Sequence, residues 1–437
     1  MDLLEPVIQP YAWGSREAIA ELQGRPTPSP GPEAELWMGA HPSAPSGVER
    51  DGRRTTLDAV IAADPAGELG QDCTRRFGGR LPFLLKVLAA SKALSIQVHP
   101  SREQAEEGFR DENLRGLAPG DKRRNYVDDW PKPEIICALT PFDVLAGMRN
   151  PVDAARFLRT LGVPALESFA AELDEAAALD SGAETDENDV TVVVGEQSRT
   201  ALRGVLARIL GWPQDGRQQL IGDVVAACER IVADDDALRA AGPAVRRAMG
   251  SLGGPFTGAC AAIIRIAADH PGDMGIVASL LLQHAVLKPG DAVFMAAGGL
   301  HAYLHGTGIE LLANSDNVVR AGLTAKHIDI PELLKLADPG VTVPRIPPRE
   351  LGNGIWVYDT PAPEFLLHRV SAGAGRLTLP GDGPRLVLCV EGTLCLRDEA
   401  GVTLKVGRGE SCFLSAADQQ VTVQGPAEAF IASMGTA

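Results

Sequence analysis

The order of three sequence textures limits most strongly what this chain can fold into. Up to about residue 150, short apolar runs alternate with glycine and proline, which predicts strands and loops. Residues 151–274 instead place apolar side chains at helical spacing, as in Leu220, Val224 and Cys228 on one face. Strand texture returns near Val286 and continues to the end. The chain is therefore predicted to be mainly β with an α-helical insertion.

A short internal similarity links the two strand-rich parts. Residues 287–298 and 406–417 both place a turn glycine, Gly290 or Gly409, and an acidic residue before an apolar strand. This arrangement is similar to that of cupin-type jelly rolls, so we predict two such jelly rolls plus a helical domain. His301 lies eleven residues after Gly290, but Gln420 occupies the same place after Gly409. The second jelly roll is therefore predicted to bind no metal.

The textures also suggest domain boundaries. Residues 1–150 together with 275–335 are predicted to form one cupin domain, residues 151–274 a helical domain, and residues 340–437 a C-terminal cupin-like domain. Residues 339–350 are rich in proline and are predicted to be a linker. Residues 172–189 are acidic without any basic residue, which predicts a solvated or disordered loop.

Composition excludes several classes of partner. The formal charge of −16 argues against nucleic acid and anionic membranes as partners, so an anionic ligand would need a local positive site. The N-terminus lacks a signal-peptide pattern and no apolar run is long enough to span a bilayer, which predicts a cytoplasmic protein. The seven cysteines show no C-x-x-C spacing and are predicted to be small buried hydrophobic residues in a reducing compartment.

Four residues in strand settings suggest a metal site. Gln97 and His99 are two positions apart, so they project from the same face of a strand. Glu134 and His301 occupy comparable strand settings. Two imidazoles, a carboxylate and an amide oxygen suit zinc with an open coordination position. Ligands spread over this much sequence have no diagnostic interval, so spacing alone leaves the site unproven.

Eight motifs, in order across about two thirds of the chain, resemble those of type I mannose-6-phosphate isomerases. They are YAWG at 11–14, ELWMGAHP at 35–42, LPFLLK at 81–86, LSIQVHP at 94–100, KPE at 132–134, GLHAYL at 299–304, GIE at 308–310 and SDNVVRAGLT at 315–324. Each motif is weak by itself, and their joint occurrence is highly specific. The resemblance implies a catalytic cupin interrupted by a helical domain, with a second cupin behind it.

The resemblance also implies an activity and a site. The expected reaction interconverts mannose 6-phosphate and fructose 6-phosphate, within carbohydrate metabolism and GDP-mannose biosynthesis, and the expected enzyme is a monomer with one zinc ion per chain. The implied zinc ligands are Gln97, His99, Glu134 and His301. The implied catalytic residues are Arg320, Glu310 and Lys132, and the implied substrate-binding residues are Lys86, Ser95, Lys326 and Trp13. The chain departs from the family pattern at Trp130-Pro131, where many bacterial members have Asn-His, and at Ala325, where the family has proline.

The reaction requires a base and stabilisation of an enediolate, and the sequence leaves the base open. Glu310 is a candidate if its pKa is raised toward neutrality. Lys132 competes with it, because neighbouring cations could lower its pKa, and a zinc-bound hydroxide is a third option. Glu310 could alternatively be an ion-pair partner of Arg320 or of a lysine.

Two other functions compete with the isomerase. One is an iron oxygenase built on the same two histidines and a carboxylate, against which Gln97 and the surrounding lysines argue. The other is a non-catalytic sugar-binding cupin, against which the complete set of four ligands argues.

Overall fold

The computed structural model describes residues 1–180, 194–241, 254–373 and 375–435. The strands within these ranges are β1 Asp2–Leu3, β2 Val7–Gln9, β3 Glu35–Met38, β4 Gly47–Arg50, β5 Arg53–Thr56, β6 Phe83–Ala90, β7 Ile96–Val98, β8 Glu134–Ala138, β9 Phe142–Met148, β10 Leu282–Leu287, β11 Ala292–Met295, β12 His301–Ala313, β13 Val319–Gly322, β14 Arg345–Ile346, β15 Arg349–Gly352, β16 Ile355–Tyr358, β17 Leu366–Ala372, β18 Leu377–Thr378, β19 Arg385–Arg397, β20 Thr403–Gly407, β21 Ser411–Leu414, β22 Thr422–Gln424 and β23 Ala427–Ser433.

The helices lie mainly between β9 and β10. They are α1 Ala18–Leu22, α2 Leu57–Ala63, α3 Pro65–Phe77, α4 Arg102–Leu114, α5 Pro151–Leu161, α6 Glu167–Asp180, α7 Glu196–Leu210, α8 Arg217–Ala240, α9 Thr257–Asp269, α10 Gly275–Ala278 and α11 Ile330–Leu336, with 3-10 turns at Pro164–Leu166, Gln214–Gly216, Gly254–Phe256 and Ser279–Leu281. The predicted helical insertion is confirmed, and α8 buries Leu220, Val224 and Cys228 as its periodicity indicates. No described helix has both the length and the apolar character needed to cross a lipid bilayer.

The prediction of strands and loops for the first 150 residues was wrong at α1 to α4. Local end signals explain two of these helices. Ser101 and Gln104 form a reciprocal capping box at the start of α4. In α3, Asp64 caps the first turn before Pro65, and Gly78 ends the helix with φ 64°.

Two other segments also differ from their predictions. The predicted acidic loop begins inside α6, where Glu172 pairs with Arg208 and Asp174 with Arg159, and its part from 181 to 189 lies outside the described residues. The predicted linker 339–350 contributes β14, which pairs with β11, and the start of β15. Among the cysteines, Cys395 is exposed while the other six are buried.

Two large antiparallel sheets dominate the described chain. The first has eleven strands and joins β2, β3 and β6 to β14. The second has ten strands and joins β15 to β23 with β1, whose Asp2 pairs with Phe413 of β21. Strands β4 and β5 form a separate ribbon. A shared apolar core containing Phe294 and Phe365 packs the two sheets together.

Each large sheet contains one thirteen-residue strand bent at a glycine. In β12, the residues before Gly306 pair with β7 and β9, and those from Gly306 onward pair with β6 and β8. In β19, residues up to Gly392 pair with β21 and β23, and the following residues pair with β20 and β22. Both glycines have positive φ, and a Cβ at Gly306 would lie 2.7 Å from the Pro141 carbonyl oxygen. The bends let one strand serve two sets of partners.

Candidate metal centre and active site

Three paired strands bring the candidate metal ligands together. His301, at the start of β12, lies opposite Gln97 of β7, and Gln97 lies opposite Arg320 of β13. Glu134 is the first residue of β8, and β8 also pairs with β12. Residues far apart in sequence therefore meet because β12 pairs with several strands at once.

His99, Glu134 and His301 form a compact buried group. One ligand atom from each lies within 4.8 Å of the others, and none of the three side chains is more than 1% exposed. His301 Nε2 is 2.9 Å from Glu134 Oε1, and His99 Nε2 is 3.4 Å from Glu134 Oε2. Neither Nε2 atom has a hydrogen-bond partner of acceptable geometry. Two unsatisfied imidazole nitrogens beside a carboxylate fit a transition-metal ion with nitrogen and oxygen ligands.

Backbone carbonyls fix the orientation of both imidazoles. His99 Nδ1 lies 2.8 Å from the Asn317 carbonyl oxygen, and His301 Nδ1 lies 3.0 Å from that of Gly299. A carbonyl accepts only from N–H, so Nδ1 carries the proton and Nε2 is left as a free lone pair. Burial, reinforced by the charge of Lys132, lowers the pKa of His99 to about 4, which keeps that ring neutral.

Tyr303 completes this group, and the sequence reasoning did not identify it as a site residue. Its hydroxyl donates to Glu134 Oε1 at 2.9 Å, and the side chain is buried. Tyr303 follows His301 by two positions on β12 and so shares its face, a signal that the strand period could have supplied. The hydroxyl helps to hold the Glu134 carboxylate in place.

Lys86 and Glu310 form a second buried group beside the first. They lie directly opposite each other on β6 and β12, and Lys86 Nζ is 3.0 Å from Glu310 Oε2. Lys86 is also 3.5 Å from Glu35 Oε2, whose position is held by the indole N–H of Trp37. The neighbouring carboxylates hold the pKa of Lys86 above its usual range although burial opposes this. Burial raises the pKa of Glu310 to about 7, although Lys86 partly opposes this shift.

A cavity of about 560 Å³ opens onto both groups. It is lined by every residue predicted to bind substrate or take part in catalysis, and by two of the predicted metal ligands: Trp13, Lys86, Ser95, Gln97, Lys132, Glu134, Glu310, Arg320 and Lys326. His99 and His301 are not among its lining residues and are almost fully buried. The volume of about 560 Å³ is large enough for a small phosphorylated sugar.

The cavity contains cations that are not neutralised by the protein. Among the residues that the structure describes, neither Arg320 nor Lys326 forms an ion pair with a carboxylate. Burial lowers the pKa of Arg320, and burial together with the charge of Arg320 lowers the pKa of Lys326. Glu310 pairs with Lys86, so the alternative that it is an ion-pair partner is confirmed for a lysine and not for Arg320. Arg320 and Lys326 are therefore the local positive charges that an acidic chain needs for an anionic ligand, although carboxylates also line the cavity.

The site departs from the family pattern where the sequence does. Trp130 is buried, with Arg80 4.2 Å above its ring, and Pro131, which stands in the place of the histidine, has no titratable group that could relay a proton. His305, which has no predicted role, is exposed on β12.

Comparisons with known proteins agree with this arrangement. Residues 1–151 match the family model for the catalytic domain of type I phosphomannose isomerase. The chain is 35% identical over 429 residues to mannose-6-phosphate isomerase of Escherichia coli, covering 96% of this chain and 95% of the relative. It is 33% identical to the Bos taurus protein of that name, covering 94% and 93% of the two chains.

Solved structures show the same fold. A variant of phosphomannose isomerase from Salmonella typhimurium superposes with a TM-score of 0.82 at 29% identity, covering 100% of both chains. A zinc-bound mannose 6-phosphate isomerase gives a TM-score of 0.81 at 30% identity, covering 100% of this chain and 99% of that one. The chain belongs to the type I mannose-6-phosphate isomerase family.

Proposed function

We propose that this chain is a zinc-dependent aldose–ketose isomerase that interconverts D-mannose 6-phosphate and D-fructose 6-phosphate through an enediolate. The observation that carries the proposal is the buried pair of unsatisfied Nε2 atoms of His99 and His301, facing Glu134 beside a cation-lined cavity. Relatives of similar length bear the name of this enzyme, and a neighbouring structure contains zinc.

The proposed ligands are His99, Glu134 and His301, with Gln97 as the fourth. Gln97 lies opposite His301 and lines the cavity, so its amide oxygen could complete a site of two imidazoles and two oxygens. When bound, zinc would act as a Lewis acid that polarises the substrate carbonyl. The three neutral ligands and one carboxylate leave the site a formal charge of about +1.

Glu310 is the proposed base. Its pKa of about 7, raised by burial, suits a group that takes a proton from C2 of mannose 6-phosphate and returns it to C1. The hydroxyl proton moves from O2 to O1 in the same conversion, so the reaction is balanced without an external reagent. Lys132 competes for this role, since its Nζ lies 3.8 Å from Glu134 Oε2 in the same cavity.

The cations are the proposed means of holding the substrate. Arg320 can donate two parallel hydrogen bonds to phosphate or enediolate oxygens. Lys326 lies on the same part of the cavity and adds charge, while Ser95 and Trp13 line its wall. Lys86, which is already paired with Glu310, is proposed to orient that carboxylate and to contact substrate.

We also propose how the chain is divided into domains. Residues 1–150 with 275–335 would form the catalytic jelly roll, residues 151–274 a helical domain, and residues 340–437 a jelly roll without metal. The glycine-bent strands β12 and β19, each shared by two sets of strands, support this repeat. We further propose that the chain acts as a monomer in the cytoplasm, and the unpaired cysteines support that location.

A coupled assay tests the function. Mannose 6-phosphate should be converted to fructose 6-phosphate, chelation should abolish turnover, and zinc should restore it. Binding of the sugar phosphate without turnover by the zinc-loaded chain would instead support the non-catalytic alternative. Oxygen uptake with iron would support the oxygenase alternative.

A further inference from the structure

A second cavity, of about 910 Å³, lies between α3 and one end of the C-terminal sheet. Its lining comes from residues 69–76 of α3 and from strands and loops after residue 350. It shares no lining residue with the candidate active site. The volume is that of a typical small-molecule site.

Three polar side chains converge on this cavity from adjacent strands. Ser433 of β23 lies between Leu366 of β17 and Arg385 of β19 in the register of the sheet. His368 is two positions beyond Leu366, so it projects from the same face of β17. His368, Arg385 and Ser433 all line the cavity. Strand pairing therefore builds the cluster from three separate parts of the chain.

These groups are buried and lack partners. His368 is 4% exposed, Arg385 3% and Ser433 1%. His368 Nδ1, Arg385 Nε and Ser433 Oγ each have no hydrogen-bond partner. Buried polar groups are normally satisfied, so unsatisfied atoms on three neighbouring side chains that line one cavity point to a missing ligand.

The charge of Arg385 determines which ligand charge the cavity favours. Its guanidinium donates through Nη2 to the Asp418 carbonyl oxygen, which is uncharged, and it forms no carboxylate ion pair within the described ranges. Burying an unpaired charge is costly, and burial accordingly lowers the pKa of Arg385. An anion would supply the missing counter-charge.

The acidic residues that line the cavity supply this counter-charge only at a distance, because Asp418 and Asp382 favour the charged form of Arg385 but neither forms an ion pair with it in the described structure. The Asp418 carboxylate accepts from the N-terminal ammonium of Met1 at 3.0 Å and from the Ser415 hydroxyl. Asp72 pairs with Arg75 and Arg76 on α3. Asp382 is exposed at the surface. Arg385 is therefore left without a carboxylate in direct contact within the described ranges, although acidic residues also line the cavity.

We propose that this cavity binds a small oxyanion-bearing ligand, a phosphate or carboxylate group, on Arg385, His368 and Ser433. Arg385 Nε–H and the Ser433 hydroxyl donate to the oxyanion. Burial lowers the pKa of His368 to about 4, so its ring is neutral and its Nδ1 can donate without adding charge. The site is distinct from the proposed isomerase site, and neither proposal depends on the other.

Calorimetric titration of the full-length, zinc-loaded chain tests this proposal with two probes, inorganic phosphate and succinate. Every protein compared carries Arg320→Ala, so that phosphate binding at the candidate active site does not obscure the result. Arg385→Met should weaken binding of the preferred probe about tenfold or more, the usual cost of losing charged hydrogen bonds. Preference for phosphate or for succinate identifies the source of the oxyanion.

Arg408→Met is the matched control, because Arg408 is an exposed cation of the same sheet that does not line the cavity. It should leave the dissociation constant unchanged. If Arg385→Met does not fold, as judged by circular dichroism, His368→Leu keeps an apolar group of similar size and should also weaken binding. Absence of saturable binding at millimolar concentrations of both probes, or equal affinity in the folded cavity variants and the control, would overturn the proposal.

Discussion

Lys86 and Glu310 face each other across β6 and β12, with Nζ 3.0 Å from Oε2, and both side chains are largely buried at the wall of the cavity. Because burial raises the pKa of Glu310, its carboxyl gains or loses a proton when the pH changes near neutrality. Because the pKa of Glu310 is raised to about 7, the carboxyl is protonated below that value and becomes a base above it. The activity should therefore rise with pH through this range.

The pH profile of kcat/KM tests this role for Glu310. The native chain should show activity increasing up to about pH 7, since this ratio reports ionisations of the free enzyme. Glu310→Gln should lower turnover strongly, and its residual activity should keep only the ionisation of the substrate phosphate near about pH 6. An unchanged profile in this variant would transfer the role of base to Lys132.

The metal prediction concerns His301. His301→Ala removes one of the two Nε2 atoms whose lone pairs are free to bind the metal. Zinc content, measured by elemental analysis, should therefore fall well below one ion per chain, and isomerase activity should be lost. His305→Ala, four positions along β12 and exposed, is the control and should retain both. Full zinc occupancy in a folded His301→Ala chain would contradict the proposed ligand set.

Tyr303 should influence metal affinity without being a ligand. Tyr303→Phe removes only the hydroxyl that donates to Glu134 Oε1, and loss of such a supporting hydrogen bond typically lowers metal affinity about 10- to 100-fold. Competition with a chromogenic chelator measures this change. Tyr358→Phe is the control, because this buried hydroxyl contacts Cys137 Sγ and the Gly290 carbonyl instead. Equal metal affinities in the two variants would show that the hydrogen bond from Tyr303 to Glu134 does not contribute to metal binding.

Arg320 should matter for turnover through its charge. Arg320→Ala should lower kcat/KM by roughly 10- to 100-fold or more, because hydrogen bonds to a charged group contribute about 1.5–3 kcal/mol and transition-state contacts can contribute more. The melting temperature should change little. Arg345→Ala removes an exposed cation outside the cavity and should have no effect on kcat/KM. Equal rates in the two variants would mean that Arg320 is not used.

Most of the candidate site residues were predicted because they lie in motifs that resemble those of a known family, whereas the strand period by itself grouped only Gln97 with His99. The structure places Gln97 opposite His301 of β12, while His99 lies just beyond the end of β7 and contacts Glu134. The contact between Lys86 and Glu310 could not be predicted in this way, because it depends on the register of strands more than 200 residues apart in the chain.

The errors in the fold have local causes. Helices α1 to α4 were missed because glycine and proline were read as loop signals, although Pro65 begins a helix and Gly78 ends one. The acidic stretch was expected to be a loop, but its first residues lie in α6, where the partly exposed Glu172 and Asp174 pair with arginines of neighbouring helices. Pairing of this kind depends on tertiary packing, which composition does not reveal.

The last prediction concerns the support that the C-terminal sheet gives to the catalytic one. Phe365 is fully buried in the core that the two sheets share, with its ring centroid 6.5 Å from that of Phe294 on β11. Phe365→Ala should lower the free energy of unfolding by about 3–5 kcal/mol, the usual cost of such a cavity. Because Phe365 does not line the candidate active site, the folded fraction should keep its kcat and its single zinc ion. Denaturant unfolding and zinc analysis measure these quantities, with exposed Val402→Ala as the control. A loss of zinc from folded Phe365→Ala would show that the C-terminal sheet also shapes the metal site.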